Sequence, residues 1–162
     1  MADEPDRKLV FLFDENMPAR LAHALRGLGE NCFHVSDPEI RLNNTPDEVV
    51  LRHAGERGWI YVGRDHRILH LPHERAALRD HNMGAFFLNQ SLNKSLCSIT
   101  TAVFRNWSEM KRLSDISSRP FLFLIRETSI KPLRKKNLGN PADEQRKRER
   151  HPKGEKAKDV TP

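Results

Sequence analysis

The chain has 162 residues, of which 37% are hydrophobic and 31% are charged, and its formal net charge is +6. This composition predicts one globular domain with an appendage. No apolar run approaches the roughly 20 residues that a membrane-spanning helix needs. Residues 1–8 are acidic on balance rather than basic, and the apolar run at 9–13 is too short for the core of a signal peptide. We therefore expect a cytoplasmic protein with no membrane partner, in which Cys32 and Cys97 are free thiols.

Positive charge is concentrated at the end of the sequence. Residues 131–162 contain 11 Lys or Arg and 5 Asp or Glu, whereas residues 1–130 carry equal numbers of basic and acidic groups. Because the last segment has few apolar residues, we predict a disordered basic tail at 131–162, and we predict a flexible N-terminus at 1–7. A basic tail favours RNA or DNA as a partner through counterion release, and it equally fits a segment that only maintains solubility.

Strand-like and helix-like patterns alternate along residues 8–130, which we predict to be one domain. The predicted strands lie at 9–13, 31–35, 59–62, 85–88 and 121–125, and the predicted helices at 18–28, 45–57, 73–80 and 92–113. Thr45 and Glu48 have the spacing of a capping box at the start of the second helix. This order predicts a three-layer α/β fold with a mainly parallel sheet of about five strands. In such folds the functional crevice lies beyond the carboxyl ends of the strands.

Acidic residues collect at that edge of the predicted sheet. They are Asp14 and Glu15 after the first strand, Asp47 and Glu48 at the start of the second helix, and Asp65 after the third strand. All of them except Glu15 also have a structural explanation as a helix cap, a dipole partner or a turn residue. Crowded carboxylates repel one another unless a cation neutralises them. Oxygen ligands of this kind suit Mg²⁺ or Mn²⁺, which can activate water for attack at phosphorus.

Three segments of the chain resemble the PIN-like domain family: Leu-Phe-Asp-Glu-Asn-Met-Pro at 12–18, Asp-Glu-Val-Val at 47–50 and Ile-Tyr-Val-Gly-Arg-Asp at 60–65. The resemblance covers roughly residues 8–90, and it is closest to small single-domain proteins with an Asp-Glu-Asn opening, often considered toxins of toxin–antitoxin pairs. It implies a Rossmann-like PIN fold and a Mg²⁺- or Mn²⁺-dependent ribonuclease. It also implies Asp14, Asp47 and Asp65 as catalytic metal ligands, with Glu15 and Glu48 as adjacent ligands, and an antitoxin as partner.

The sequence departs from the family pattern in its third and fourth motifs. The family usually has a threonine before the third acid and a second aspartate after it, where this chain has Gly63 and Arg67. PIN nucleases often add a fourth acid beyond the fourth strand, where this chain has Asn89 and Gln90. The predicted acid set is therefore incomplete relative to the family.

Four residues near the predicted acids are candidates for binding the substrate. Arg64 and Arg67 could hold RNA phosphate by bidentate contacts in place of the missing acid. His66 is a candidate for proton transfer to the leaving oxygen, and Asn16 for orienting Asp14 or holding the loop.

Two other sites at the same edge fit the sequence less well. A phospho-receiver domain needs a lysine at the end of the fifth strand, where this chain has Arg126, and arginine does not replace lysine at such a contact. His66 and His70 have the spacing of a helical zinc pair, but Pro72 interrupts a continuous helix there.

The alternative from a different functional class is a catalytically inactive module that binds nucleic acid or a protein partner. In that interpretation the incomplete acid set is a relic of the fold, since a fold alone does not decide function. Phe104 and Trp107 on the long fourth helix could form a homodimer face, although packing of that helix into the core is the better explanation.

Overall fold

The computed structural model describes residues 8–64, 66–134 and 138–150. Its strands are β1 (Phe11–Phe13), β2 (Cys32–His34), β3 (Ile60–Gly63), β4 (Gly84–Leu88), β5 (Phe121–Ile125) and β6 (Ile130–Pro132). Its helices are α1 (Ala19–Gly27), α2 (Asp47–Glu56), α3 (Pro72–Asp80), α4 (Leu96–Ile116) and α5 (Pro141–Arg150). Short 3-10 helices lie at His66–His70 and Gln90–Leu92.

The strands form one sheet in the order β2-β1-β3-β4-β5-β6. The first five strands are parallel, and β6 pairs antiparallel with β5. The predicted mainly parallel α/β fold is therefore confirmed, with a sixth strand added at one edge. All the parallel strands end at the same edge of the sheet, which also receives the starts of the helices that follow them.

Helices cover both faces of the sheet and give it three layers. Side chains of α1 and α4 pack on one face, and side chains of α2 and α3 pack on the other. β4 shows the alternation that produces these two cores, because Phe86 and Leu88 belong to the first core while Ala85 and Phe87 belong to the second. A strand buried on both faces reads as a continuous apolar run, which is the pattern seen in the sequence.

α4 begins four residues later than the sequence predicts. The Ser95 hydroxyl accepts the N–H of Ser98 at 3.0 Å and caps α4, while Asn89 caps the separate 3-10 helix before it. Trp107 belongs to the core, where its ring packs 4.7 Å from that of Phe11, whereas Phe104 is partly exposed. Only one of the two residues predicted for a dimer face is therefore on the surface. None of the helices in the described ranges has both the length and the apolarity that crossing a membrane requires.

The start of α2 differs from the predicted capping box. The N-cap residue is Pro46, which has no side-chain cap. The Thr45 hydroxyl donates instead to the Asn43 carbonyl at 3.4 Å, and the N–H of Val49 donates to the Pro46 carbonyl. The capping-box prediction is therefore wrong, because the preceding loop uses the threonine hydroxyl. The side chain of Glu48 is thus not needed to cap the helix.

The structure also differs from the prediction of a disordered tail that starts at residue 131. β6 pairs with β5, and Leu138 is 3% exposed in the core that contains α2 and α3. The Arg79 guanidinium donates to the Leu138 carbonyl at 3.3 Å. The pairing of β6 with β5 and the burial of Leu138 thus hold a segment whose average composition is polar. The rest of the predicted tail, at 151–162, and the predicted flexible N-terminus, at 1–7, lie outside the described residues.

Candidate active site

A cavity of about 360 Å³ opens at the carboxyl edge of the sheet. The ends of β1 and β3 and the first turns of α2 and α3 surround it. Its lining residues are Asp14, Asn16, Asp47, Tyr61, Arg67, His70, Leu71 and Glu74. The structure therefore brings Asp14 and Asp47, two of the three predicted catalytic acids, to one site. The third, Asp65, lies outside the described residues.

Asp14 follows β1 directly and is only 6% exposed. Burial and the nearby charge of Asp47 raise the pKa of its carboxyl group. The backbone N–H groups of Glu15 and Asn16 and the Tyr61 hydroxyl donate to the same carboxylate and partly offset that rise. Hydrogen bonds from three sides leave this side chain little freedom to rotate, which is a useful property in a metal ligand or a catalytic base.

Tyr61 reaches Asp14 from inside β3, and Gly63 makes that position available. A Cβ atom at residue 63 would lie 2.6 Å from the Tyr61 ring, closer than carbon atoms approach without a shift. The glycine found where a threonine was expected therefore leaves room for the tyrosine. Tyr61 is buried, and its burial and the Asp14 charge raise its pKa well above its ordinary value. The hydroxyl thus remains protonated and acts as a donor to Asp14.

Asp47 and Glu74 approach the cavity from the first turns of α2 and α3. Glu74 is 5% exposed, and its carboxyl group is hydrogen-bonded to that of Asp47. Burial raises the pKa of Glu74 to about 7, together with the charge of Asp47 and smaller effects of Glu48 and Asp14. Two carboxyl groups can share a hydrogen bond only when one of them keeps a proton, so this pair cannot ionise fully without a compensating positive charge.

The carboxylate oxygens of the cavity are the type of ligand that a hard divalent cation such as Mg²⁺ prefers. Asp14, Asp47 and Glu74 supply oxygen atoms, and Oε2 of Glu74 is buried with no hydrogen-bond partner among the described residues. However, within the described ranges no three His, Cys, Asp or Glu side chains form a group that could already hold a metal ion.

Glu15 and Glu48, the two predicted adjacent ligands, are not among the residues that line the cavity. Both are exposed. Oε1 of Glu15 accepts the N–H of Asn44 at 3.3 Å and links the loop after β1 to the loop before α2. Glu48 contributes to the site through its charge, which helps to raise the pKa of Glu74.

A second cavity of about 490 Å³ adjoins the first. It is lined by Asn16, Arg64, Arg67, Gln90 and Asn93, and it shares Asn16 and Arg67 with the acidic cavity. The Arg64 guanidinium donates to Oδ1 of Asn93 at 2.7 Å. Three of the predicted substrate-binding residues thus lie together. For the fourth, His66, the backbone lies in the 3-10 helix at His66–His70, and its side chain is outside the described part of the chain.

Sequence reasoning did not identify Tyr61 or Glu74 as site residues. The signal for Glu74 was present, because it follows Pro72 in the first turn of α3 much as Asp47 follows Pro46 at the start of α2. Prolines at the start of a helix and acids in its first turn mark its N-terminal end, and here both N-termini lie at the functional edge. Tyr61 carries no comparable signal, since a tyrosine in a strand is ordinarily a core residue.

The chain matches a known protein family. A family model described as a PIN-like domain matches residues 9–90, just over half of the chain. The matched segment contains β1 to β4 and all the residues that line the acidic cavity. Comparison with curated proteins and with solved structures gave no significant match.

Proposed function

Because this chain belongs to the PIN-like domain family, we propose that it is a ribonuclease that uses Mg²⁺ or Mn²⁺ to hydrolyse phosphodiester bonds in RNA. Nuclease activity of some kind follows in general from the family. Our proposal adds three points to this: RNA is the substrate, the reaction depends on a divalent metal, and named residues of this chain carry it out. Its centre is the acidic cavity at the carboxyl edge of the sheet.

One observation carries the proposal: Asp14 and Asp47 come from different elements and meet in one cavity, where the charge of Asp47 raises the pKa of Asp14. Repulsion of this kind destabilises the folded protein. An arrangement that costs stability and lies at the functional edge of the fold is typical of a site that binds a positively charged ligand.

Asp14 is the central acid in this proposal, and Asp47 and Asp65 complete the predicted set. A divalent cation held by these acids would lower the pKa of a bound water and neutralise charge that develops on the phosphate. Tyr61 and the N–H groups of residues 15 and 16 hold the Asp14 carboxylate in position. The walls of the cavity exclude bulk water from that carboxylate, which is 6% exposed.

The second cavity gives the substrate a place beside the acids. Arg64 and Arg67 bring positive charge to it, and Asn16, Gln90 and Asn93 bring amide groups that can donate to phosphate oxygens. This composition suits the backbone of a single strand rather than the edges of particular bases. His70 lines the acidic cavity and is the described histidine placed to give a proton to the leaving oxygen.

We propose that this ribonuclease acts in the cell as the toxin of a toxin–antitoxin pair. An antitoxin would then cover the acidic edge and place a basic side chain among the carboxylates, which would stabilise them as a metal ion does. Expression of the chain in bacteria should arrest growth, and the Asp14→Asn variant should not. Arrest by a folded Asp14→Asn protein would contradict the role given to Asp14.

Cleavage of a mixed RNA substrate by the purified full chain tests the proposal. Parallel reactions contain Mn²⁺, Mn²⁺ with excess EDTA, or Mn²⁺ with the Asp14→Asn variant. We expect cleavage only by the wild-type protein with free metal. Equal cleavage in all three reactions would indicate a contaminant. Binding of RNA without cleavage in any reaction would favour the inactive binding module.

A further inference from the structure

Glu74 is the most deeply buried group of the acidic cavity that the proposed function does not use. Its side chain is 5% exposed, and it lines the cavity with Asp14 and Asp47. Its Oε2 atom accepts no hydrogen bond from any described residue. Buried polar atoms are nearly always satisfied, so this oxygen needs a partner that the described residues do not provide.

The position of Glu74 follows from the packing of α2 and α3. Both helices follow parallel strands, and they pack against each other on the same face of the sheet. Their first turns therefore lie side by side at the functional edge, where α2 presents Asp47 and α3 presents Glu74. The two carboxyl groups are within hydrogen-bond contact of each other.

We propose that Glu74 is a ligand of the divalent cation at the cavity that it lines with Asp14 and Asp47. This inference rests on the proposed function. The end of β4 offers Asn89 instead of an acid, and the side chain of Asn89 is occupied in capping the next 3-10 helix.

A structural role for Glu74 makes a different prediction. If Glu74 only shares a proton with Asp47, then removing its charge should leave metal affinity unchanged. If it is a ligand, its removal should weaken metal binding by at least about tenfold, since loss of even an indirect partner of a metal ligand has an effect of that size. Metal binding therefore separates the two roles without any measurement of catalysis.

The test is a calorimetric titration of the full chain with Mn²⁺ alone at pH 8, followed by thermal unfolding over the same range of Mn²⁺ concentrations. Glu74→Gln keeps the shape of the side chain and removes its charge. Glu56→Gln is the matched control, because Glu56 is exposed in the last turn of α2, away from the cavity. Unfolding without metal shows whether each variant is folded.

We expect Mn²⁺ to bind and to raise the melting temperature of the wild-type protein and of Glu56→Gln alike. We expect Glu74→Gln to unfold cooperatively without metal and to bind Mn²⁺ at least about tenfold more weakly. Wild-type affinity in Glu74→Gln would overturn this inference and leave the proposed function intact. An absence of Mn²⁺ binding in the wild-type protein would overturn both.

Discussion

At the scale of single residues, Asp14 shows how the fold controls a catalytic acid. Burial makes ionisation of its carboxyl group less favourable, and three hydrogen-bond donors make it more favourable. One of these donors, the Tyr61 hydroxyl, comes from the neighbouring strand and depends on the absence of a side chain at Gly63. The pKa of Asp14 is therefore set by burial, by the loop after β1, by Asp47 of α2 and by Tyr61 of β3.

Tyr61→Phe tests this dependence. Because the Tyr61 hydroxyl stabilises ionised Asp14, its loss should raise the pKa of Asp14 further and leave the fold intact. The measurement is a pH titration of the Asp14 side-chain carbon by NMR in the metal-free protein. An Asp14 that titrates at the same pH in both proteins would show that the hydrogen bond has no effect on its ionisation.

Glu74 predicts a specific pH dependence of stability. Its pKa in the folded protein, about 7, is higher than its ordinary value of 4.5. The folded state thus holds this proton more tightly than the unfolded state does. The contribution of Glu74 to stability is therefore largest below pH 4.5 and is lost as pH rises from 4.5 to 7. Once pH is above 7, the free energy of unfolding should be lower by roughly 1–3 kcal/mol because of Glu74 alone.

The comparison that isolates this effect is between wild-type protein and Glu74→Gln in EDTA, unfolded by urea at pH 4.5 and at pH 8. Glutamine cannot ionise, so the variant should be the more stable protein at pH 8 and about equal to wild type at pH 4.5. A constant difference between the two proteins at both pH values would show that Glu74 ionises normally in the folded state.

At the scale of elements, the contact between α2 and α3 fixes the relation of Asp47 to Glu74. Gly55, near the end of α2, lies against the residues that follow α3. A Cβ atom at residue 55 would lie 2.4 Å from Cβ of His81 and 2.8 Å from the Met83 sulfur. The glycine thus allows the two helices to approach closely at the end away from the site.

Gly55→Ala should therefore destabilise the protein. The added methyl group must displace His81 and Met83, and overpacking of this kind costs about 1–3 kcal/mol. Gly27→Ala is the control, because a Cβ atom there meets nothing within 4 Å and alanine favours a helix. Urea unfolding measures both. Equal stability of the two variants would show that α2 and the turn after α3 can separate without cost.

The elements were largely predictable from the sequence, whereas the contacts between them were not. The apolar run of β1 and the alternation of strands and helices depend on local pattern, so the parallel sheet and the edge that carries Asp14 and Asp47 could be predicted. The capping box failed because the Thr45 hydroxyl had a competing acceptor in its own loop. Glu74 was missed because only the packing of α3 on α2 brings it to Asp47.

At the scale of the whole molecule, the sixth strand and Leu138 extend the domain beyond residue 130. The sequence prediction averaged composition over 32 residues, and that average hides single anchors. Leu138 is 3% exposed and belongs to the core cluster that also contains side chains of α2 and α3. Burial of one leucine offsets part of the entropy cost of ordering the residues around it.

Leu138→Ala should lower the free energy of unfolding by about 2–4 kcal/mol, through lost burial and the cavity left behind. Leu28→Ala is the control, since Leu28 is 71% exposed and its replacement should change stability by less than about 0.5 kcal/mol. Urea unfolding compares the two variants. A negligible effect of Leu138→Ala would mean that the segment after β6 adds nothing to the core.

Hydrolysis of RNA by a water nucleophile is the central claim, and the most direct measurement is the mass of the products formed with Mn²⁺ in water enriched in oxygen-18. The proposed mechanism predicts that each cleavage by the wild-type protein leaves one oxygen-18 atom on the phosphate that ends one product, while the other product ends in a hydroxyl group. Asp14→Asn should give no such product. Products that end in a 2′,3′-cyclic phosphate without oxygen-18 would show attack by the RNA's own hydroxyl group. That result would contradict the metal-activated water and the function proposed for the acidic cavity.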